Sequence, residues 1–361
     1  MKKIVSVLLA LTLVIGMMAG CGKEEYEIAV VTDVGQLMDG GFNQGTWEGA
    51  ENFAKANGKT YKYYQPAGGS DAADDDRVAA MRLAVDNGAK VIVAPGFLQQ
   101  AAMEKVAKEF PEVKFVFVDG WNFGLNNVTA VSYKEQESGF MAGYAAVMDG
   151  YTSLGATLGG GGSNPACNRF GYGFVQGAAK AAEEKNVNVD MVVSFKFGAA
   201  FSASTELQTQ ISGWYANGTQ VVFSCGGSMV QSVKAAAEET TNGKIVGVDT
   251  DQKNISDRVI TSAVKGLASS VEIILDKFYK GQWDKELADK TVTLGATDNA
   301  TGLPTDFSRM TSFTKADYDK LFKGIVDGSI AIKADVVDNC DDEAFWAKAA
   351  AGTKLNLKLD K

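Results

Sequence analysis

The chain has 361 residues, of which 46% are hydrophobic and 22% charged, enough to fill about two domains of core. It contains no histidine, which excludes a Ser-His-Asp or Cys-His nucleophile system, a His-ligated zinc and an imidazole base. Its formal net charge of −9 opposes binding to nucleic acid.

The first element is an export signal. Lys2 and Lys3 precede an apolar run from Ile4 to Gly16, and the small residues Ala19 and Gly20 stand directly before Cys21. A basic start, a short apolar stretch and small residues at a cut form a secretory signal, and the run is short for a membrane span. The placement of Cys21 resembles a bacterial lipobox, so residues 1–20 are expected to be removed and Cys21 lipidated. Gly22 to Glu25 would be a polar tether. Cys167, Cys225 and Cys340 show no CxxC pair, so neither a disulfide framework nor a metal cluster is supported, and at most one bridge could form.

From residue 28 onward short β-rich runs alternate with helical stretches. Ile28–Thr32 reads as a strand, Trp47–Asn57 as a helix stopped by Gly58, Tyr61–Tyr64 as a strand, and Val78–Asp86 as a helix ending at Asn87-Gly88. Asp71, Asp74, Asp75 and Asp76 read as a solvated helix start. Val91–Ala94, a helix near Gln99–Glu109 and Phe115–Val118 continue the alternation, which predicts βαβ units and a parallel sheet covered on both faces.

The pattern then repeats. Asn87-Gly88, Val91, Gly96 and Asp119 reappear, at one constant shift, as Asn217-Gly218, Val221, Gly226 and Asp249, while Trp47-Glu48-Gly49-Ala50 matches Val175-Gln176-Gly177-Ala178 at nearly the same shift. Two doubly wound lobes follow. Ligands bind beyond the carboxyl ends of strands in open α/β sheets, which puts Gly96, Asp119, Gly226 and Asp249 along one cleft. Val128–Tyr133, Arg258–Ala263 and a stretch between Gly281 and Gly295 are expected to cross between lobes as a hinge. The expected boundaries are 21–131 plus about 261–285 for the first lobe, and 132–260 plus about 286–361 for the second. A helix is expected over Lys315–Val326, capped by Thr314; the polar end of the chain has no predicted place.

Two loops invite chemistry. Thr32 to Gly45 holds Asp33, Asp39, Phe42 and Asn43 among glycines, without GxGxxG, so a dinucleotide cradle is disfavoured. An acid, an aromatic and an amide in a glycine setting suit a planar polar ligand, whereas Phe42 could equally plug the core. Gly159–Gly162 is the corresponding loop of the second lobe, and no Lys-Ser or Lys-Thr follows to make a Walker loop.

Six strings, read in order, carry a resemblance: Asp39-Gly40-Gly41-Phe42-Asn43-Gln44 after Val31-Thr32-Asp33, Val118-Asp119, Ser138 to Gly143, Gly173 to Gly177, Gly247 to Gln252, and Thr261 to Lys265. With the signal and paired lobes, the chain resembles the basic membrane protein family of bacterial ABC-transporter substrate-binding lipoproteins. The resemblance implies a periplasmic-binding-protein type I fold and a nucleoside, purine nucleosides foremost, held between the lobes. It implies a base sandwiched by Phe42 and Phe201 and hydrogen-bonded by Asp33, Asn43 and Asp119, with Gly226, Asp249 and Lys265 on the ribose. No cofactor and no reaction are implied. The partners would be an ABC permease and, through the lipid, the outer face of the cell membrane, with the protein acting as a monomer. Phe201 could instead pack in the core after a strand at Val192–Phe197, and Asp249 could cap the Gln252–Asn254 turn. A sugar-binding protein and a surface nucleoside hydrolase using Asp33, Asp39, Asp119 and Asp249 are the rival functions. A repressor is disfavoured by the export signal and acidic charge.

Overall fold

Buried, β-branched strands organise the described residues of this computed structural model, 25–34, 36–334 and 343–361, into two parallel sheets. Cys21, the expected lipid site, and Cys340 lie outside the described residues. In the first lobe the chain runs β1 (Ile28–Val31), α1 (Phe42–Asn57), β2 (Tyr61–Tyr64), α2 (Asp74–Asp86), β3 (Val91–Pro95), α3 (Gln100–Glu109), β4 (Lys114–Val118) and β5 (Val128–Tyr133). It crosses to the second lobe for α4 (Glu135–Met148), β6 (Ser153–Leu158), α5 (Pro165–Lys185), β7 (Val189–Ser194), α6 (Thr205–Ala216), β8 (Val221–Cys225), α7 (Met229–Glu238), β9 (Lys244–Asp249) and β10 (Val259–Lys265). It returns for α8 (Leu267–Tyr279) and β11 (Lys290–Leu294), then leaves again for β12 (Thr301–Gly302), α9 (Lys315–Val326), α10 (Glu343–Ala350) and β13 (Leu355–Asp360).

The first sheet has the order β11-β5-β4-β3-β1-β2 and the second β12-β10-β9-β8-β6-β7-β13. All neighbours are parallel except β10 and β12. In each sheet the winding reverses beside the lobe's first strand, β1 or β6, so the crevices that open there face each other. Internal symmetry extends to the backbone: the matched pairs Gly88 and Gly218, Gly96 and Gly226, and Asp119 and Asp249 all have positive φ. The helices α1 and α5 likewise end on left-handed Gly58 and Asn186. Among the described residues no helix is long and apolar enough to cross a membrane.

Several expectations are corrected. Val128–Tyr133 and the strand from Val259 are not crossings but sheet members, because each is hydrogen-bonded on both sides, β5 by β4 and β11 and β10 by β9 and β12. The chain changes lobes just beyond them, at Lys134 and Gly266, and a third time between Gly295 and Ala300. Residues 290–294 therefore join the first sheet rather than the second lobe, and 261–265 stay with the second sheet. Helix α1 starts at Phe42, five residues before Trp47, and the strand expected at Val192–Phe197 runs from Val189 to Ser194. The unplaced C-terminus extends the second sheet as β13, parallel to β7, and fully buries Trp346 against Tyr172.

The three crossings are tied together. Glu137 Oε2 accepts from Ala296 N–H and Thr301 Oγ1, both at 2.6 Å, joining the first crossing to the third. Ser138 Oγ donates to the Val264 carbonyl at 2.6 Å and accepts from Gly302 N–H at 2.9 Å, which adds the second.

Behind the hinge, α4 and α5 touch backbone to backbone through four glycines. A Cβ added at Gly139, Gly143, Gly173 or Gly177 would lie 1.9–2.1 Å from a carbonyl oxygen of the facing helix. Gly177→Ala should therefore force the helices apart at a cost of about 1–3 kcal/mol, seen by circular dichroism as a Tm several degrees lower. Gly213→Ala, which meets nothing within 4 Å inside α6, should instead raise the Tm through helix propensity. Equal responses of the two variants would contradict this packing account.

Candidate functional site

The loop after β1 is shaped by one side chain. Asp39 Oδ1 accepts from Gly41 N–H at 2.8 Å and Gln44 N–H at 3.2 Å, while its Oδ2 accepts from Asn43 N–H at 3.0 Å. It thus satisfies the free donors at the start of α1, a task that Gly41 at the N-cap cannot perform. The helix can then begin at Phe42, and the ring is presented from a first helical turn rather than from a flexible loop. Asn43 holds the same loop from inside: its Oδ1 accepts from Asp33 N–H at 2.8 Å and its Nδ2 donates to the Val34 carbonyl and to Asp39. The amide that was expected on a ligand has both donors already engaged.

Asp33 is pressed against Gly96 at the end of β3, where a Cβ would stand 2.0 Å from Oδ2. Its Oδ1 is buried without a partner. Burial pushes its carboxyl up to about 7 against the opposing charge of Arg77, with Asp119 and Asp39 adding to the rise.

At the ends of β4 and β9, Asp119 and Asp249 adopt left-handed backbone, φ 58° and 66°, which turns both carboxylates to one ammonium. Lys265 Nζ lies 2.5 Å from Asp119 Oδ2, 3.5 Å from Glu135 Oε1 and 3.7 Å from Asp249 Oδ1. Its other neighbours are rings: Phe42, Tyr133 and Phe170 have centroids 5.0, 5.2 and 5.4 Å away. Burial alone would discharge this lysine, but Asp119, Asp249 and Glu135 together hold it above the ordinary range. Arg169 Nε pairs with the other oxygen of Glu135 at 2.5 Å. Burial also raises Asp119, and pushes Asp249 up to about 7, in each case against Lys265. The alternative of Asp249 as a turn cap does not hold, since Asp251 accepts from Lys253 N–H at that turn.

In the second lobe Phe201 has φ 57°, a conformation costly for a bulky residue. Its ring lies on bare backbone: a Cβ at Gly159 would come within 2.5 Å of it, and one at Gly226 within 3.0 Å. This bed of glycines leaves Phe201 half-buried, at the edge of the core rather than inside it.

These groups meet in one cavity of about 560 Å3, measured out to its mouth. All eight residues singled out from the sequence line it: Asp33, Phe42, Asn43, Asp119, Phe201, Gly226, Asp249 and Lys265. Sequence reasoning missed Phe97, Phe170, Cys167 and Cys225, and it missed the buried Glu135 behind Lys265 and the half-buried Arg169 paired with it. Phe170 could have been found, because the shift that matches Trp47 with Val175 matches Phe42 with it. Glu135 stands between Lys134 and Glu137, and nothing in that run of charges sets it apart.

Both cations of the cluster are spent on internal carboxylates, so the cavity offers aromatic faces and acceptors. Asp33 Oδ1 and Asp119 Oδ1 have no protein partner. The wall suits a flat, uncharged solute rich in N–H and O–H donors. The lobes also touch directly: the Gly40 carbonyl of the first accepts from Thr250 Oγ1 at 2.8 Å and Gln252 Nε2 at 3.0 Å of the second.

Asp33 and Asp249 bind protons more tightly folded than unfolded, since both rise from 3.8 to about 7. Their contribution is complete below about pH 4 and is lost as pH rises through about 7. The Tm of the ligand-free protein should accordingly rise on acidification from about pH 8 to about pH 5.5, and Asp33→Asn should flatten the rise. A wild-type Tm falling over that interval would refute the assignment.

Comparison with known proteins gives the lineage. The profile of the family Bmp, described as ABC transporter substrate-binding protein PnrA-like, matches residues 26–335. The chain is similar to the ABC transporter nucleoside-binding protein BmpA of Lactococcus lactis subsp. cremoris, 28% identical over 92% of this chain and 99% of that protein. It is 24% identical to a CD4+ T-cell-stimulating antigen of Listeria monocytogenes, over 86% of this chain and 88% of the relative. Among solved structures, an ABC transporter solute-binding protein from Aeropyrum pernix superposes with a TM-score of 0.72 at 20% identity, covering 90% and 96% of the two chains. The Lac repressor does so with a TM-score of 0.54 at 12% identity, covering 86% and 90%. At these identities the structures show the shared fold, that of periplasmic binding proteins of type I.

Proposed function

The chain belongs to the Bmp family of PnrA-like ABC transporter substrate-binding proteins, and from that premise we propose that it captures a nucleoside, purine nucleosides foremost, for an ABC importer. The observation that carries the reading is the pair Phe42 and Phe201, one from each lobe, lining the same cavity as carboxylate oxygens without partners. A base between the two rings would be shielded from water on both faces, and stacking on one aromatic is worth on the order of 1–3 kcal/mol. The name of the Lactococcus lactis relative, a nucleoside-binding protein, supports the same cargo.

In this reading Asp33 and Asp119 take the donors of the base edge, and Asp249 accepts from the ribose hydroxyls, with Gly226 alongside. Lys265 orients the two strand-end aspartates, and Asn43 sets the loop that carries Asp33. Ligand contacts to both lobes supply the differential affinity that favours the closed form, and the permease reads that form. No reaction is assigned. Of the carboxylates that a nucleoside hydrolase would use as base or metal ligands, Asp119 and Asp249 are already held by an ammonium at 2.5 and 3.7 Å, and Asp39 by the N–H groups at the start of α1. The protein would work as a monomer outside the cell membrane, held there by lipid on Cys21.

Mass spectrometry of the solute released from the purified, denatured protein tests the cargo: a nucleoside is expected, and a sugar or amino acid would overturn the reading. Calorimetry tests the contacts. Asp249→Ala removes charge-assisted hydrogen bonds of roughly 1.5–3 kcal/mol each and should weaken ribonucleoside binding by about tenfold to more than a hundredfold. The free base should bind wild type and variant about equally. An equal loss for base and nucleoside would remove Asp249 from the ribose.

A further inference from the structure

Two thiols stand in the cavity wall, and nucleoside capture uses neither. Cys167 is the third residue of α5, its N–H bonded to Asn164 Oδ1 at 2.8 Å, and Cys225 is the last residue of β8. Both are free and buried, and both line the cavity. The Cys167 thiol donates to the Cys225 carbonyl at 3.6 Å, which sets its sulfur against the residue that carries the second thiol. Cys167 is the more accessible of the two, at 7% exposure against 0% for Cys225. A small solute entering the cleft therefore meets Cys167 first.

We propose that Cys167 and Cys225 form a dithiol switch, which a small organic disulfide oxidises to an intramolecular disulfide that weakens ligand binding. Cys167 sulfur, as thiolate, attacks the oxidant, whose S–S bond breaks and releases one thiolate; that thiolate takes up the proton Cys167 gave up. Cys225 sulfur then attacks Cys167 sulfur in the mixed disulfide and expels the second thiolate, which takes the Cys225 proton. Two electrons pass to the oxidant, one S–S bond is exchanged for another, and two small thiols leave.

The consequence for binding follows from what lies beside Cys225. An S–S bond of about 2.05 Å is far shorter than any non-bonded contact of two sulfurs, so its formation draws the end of β8 toward α5. Gly226 comes next, with φ 144°, and there a Cβ would lie 3.0 Å from the Phe201 ring and 3.3 Å from Gly159 Cα. Gly227 is as tight, since its Cβ would stand 2.5 Å from the Phe201 carbonyl. Phe201 rests on the residues that the bond would pull, and oxidation also removes the donor to the Cys225 carbonyl. Formation of the bond is independent of the nucleoside reading; the change in nucleoside affinity rests on it.

The test uses the full chain, reduced and then treated with hydroxyethyl disulfide, with and without guanosine. Peptide mapping should find a Cys167–Cys225 link that guanosine slows, and titration calorimetry should give a guanosine affinity about tenfold or more weaker, restored by dithiothreitol. For Cys167→Ser, whatever its own affinity, treatment should leave the value unchanged. No link after the oxidant has modified other thiols, or a link with unaltered affinity, would overturn the switch. If reduced wild type binds no nucleoside, that counts against the nucleoside reading alone. The same paired titrations are then run with the solute that the denatured protein releases.

Discussion

A buried ammonium with three carboxylates around it is the constraint on which the rest of this molecule turns. Lys265 ends β10 one residue before the chain re-enters the first lobe, and its partners come from β4, β9 and the start of α4. Taking such a group out of water is affordable only with partners in place, and removing one partner of a buried pair typically costs about 3–5 kcal/mol. The lysine therefore fixes where the strand ends of both lobes can stand relative to the hinge. It also decides the character of the cavity. With its charge consumed internally, and that of Arg169 consumed by Glu135, what faces inward is oxygen with lone pairs to spare.

The hinge and the site are one piece of structure. Glu135 belongs to the cluster, while Glu137 and Ser138, less than a turn further along α4, bind the other two crossings. The glycine contacts between α4 and α5 pack this helix directly against the one that carries Arg169, Phe170 and Cys167. Three tied connections restrict the lobes to hinge bending, and Asp119 of the first lobe and Lys265 of the second are in contact across it.

Most of the fold was legible because alternation of buried strands and amphipathic helices leaves a periodic trace, and because the trace occurs twice. The repeat predicted which residues sit at strand ends, and positive φ at both members of three matched pairs shows that it extends to the backbone. What escaped was set by contacts remote in sequence. A β-rich stretch looks the same whether it crosses between sheets or pairs within one, so the crossings were placed a few residues early and β11 was put in the wrong lobe. The start of α1 was missed because its cap is a side chain two residues before the N-cap position. Glu135 and Arg169 look like surface charges until they are seen paired, Glu135 fully buried and Arg169 half-buried. The cleft residues were named partly by the repeat, as for Gly226, Asp119 and Asp249, and partly by family resemblance, as for Phe201 and Lys265.

The direct bonds between the lobes have a kinetic side. The Gly40 carbonyl of the first lobe is bonded by Thr250 and Gln252 of the second, next to Asp249 but without using its carboxylate. Parting the lobes at this point breaks those two bonds whichever solute lies between them. They therefore add to the barrier for opening without being part of the wall that selects the solute, and the rate of opening and the choice of cargo rest on different side chains.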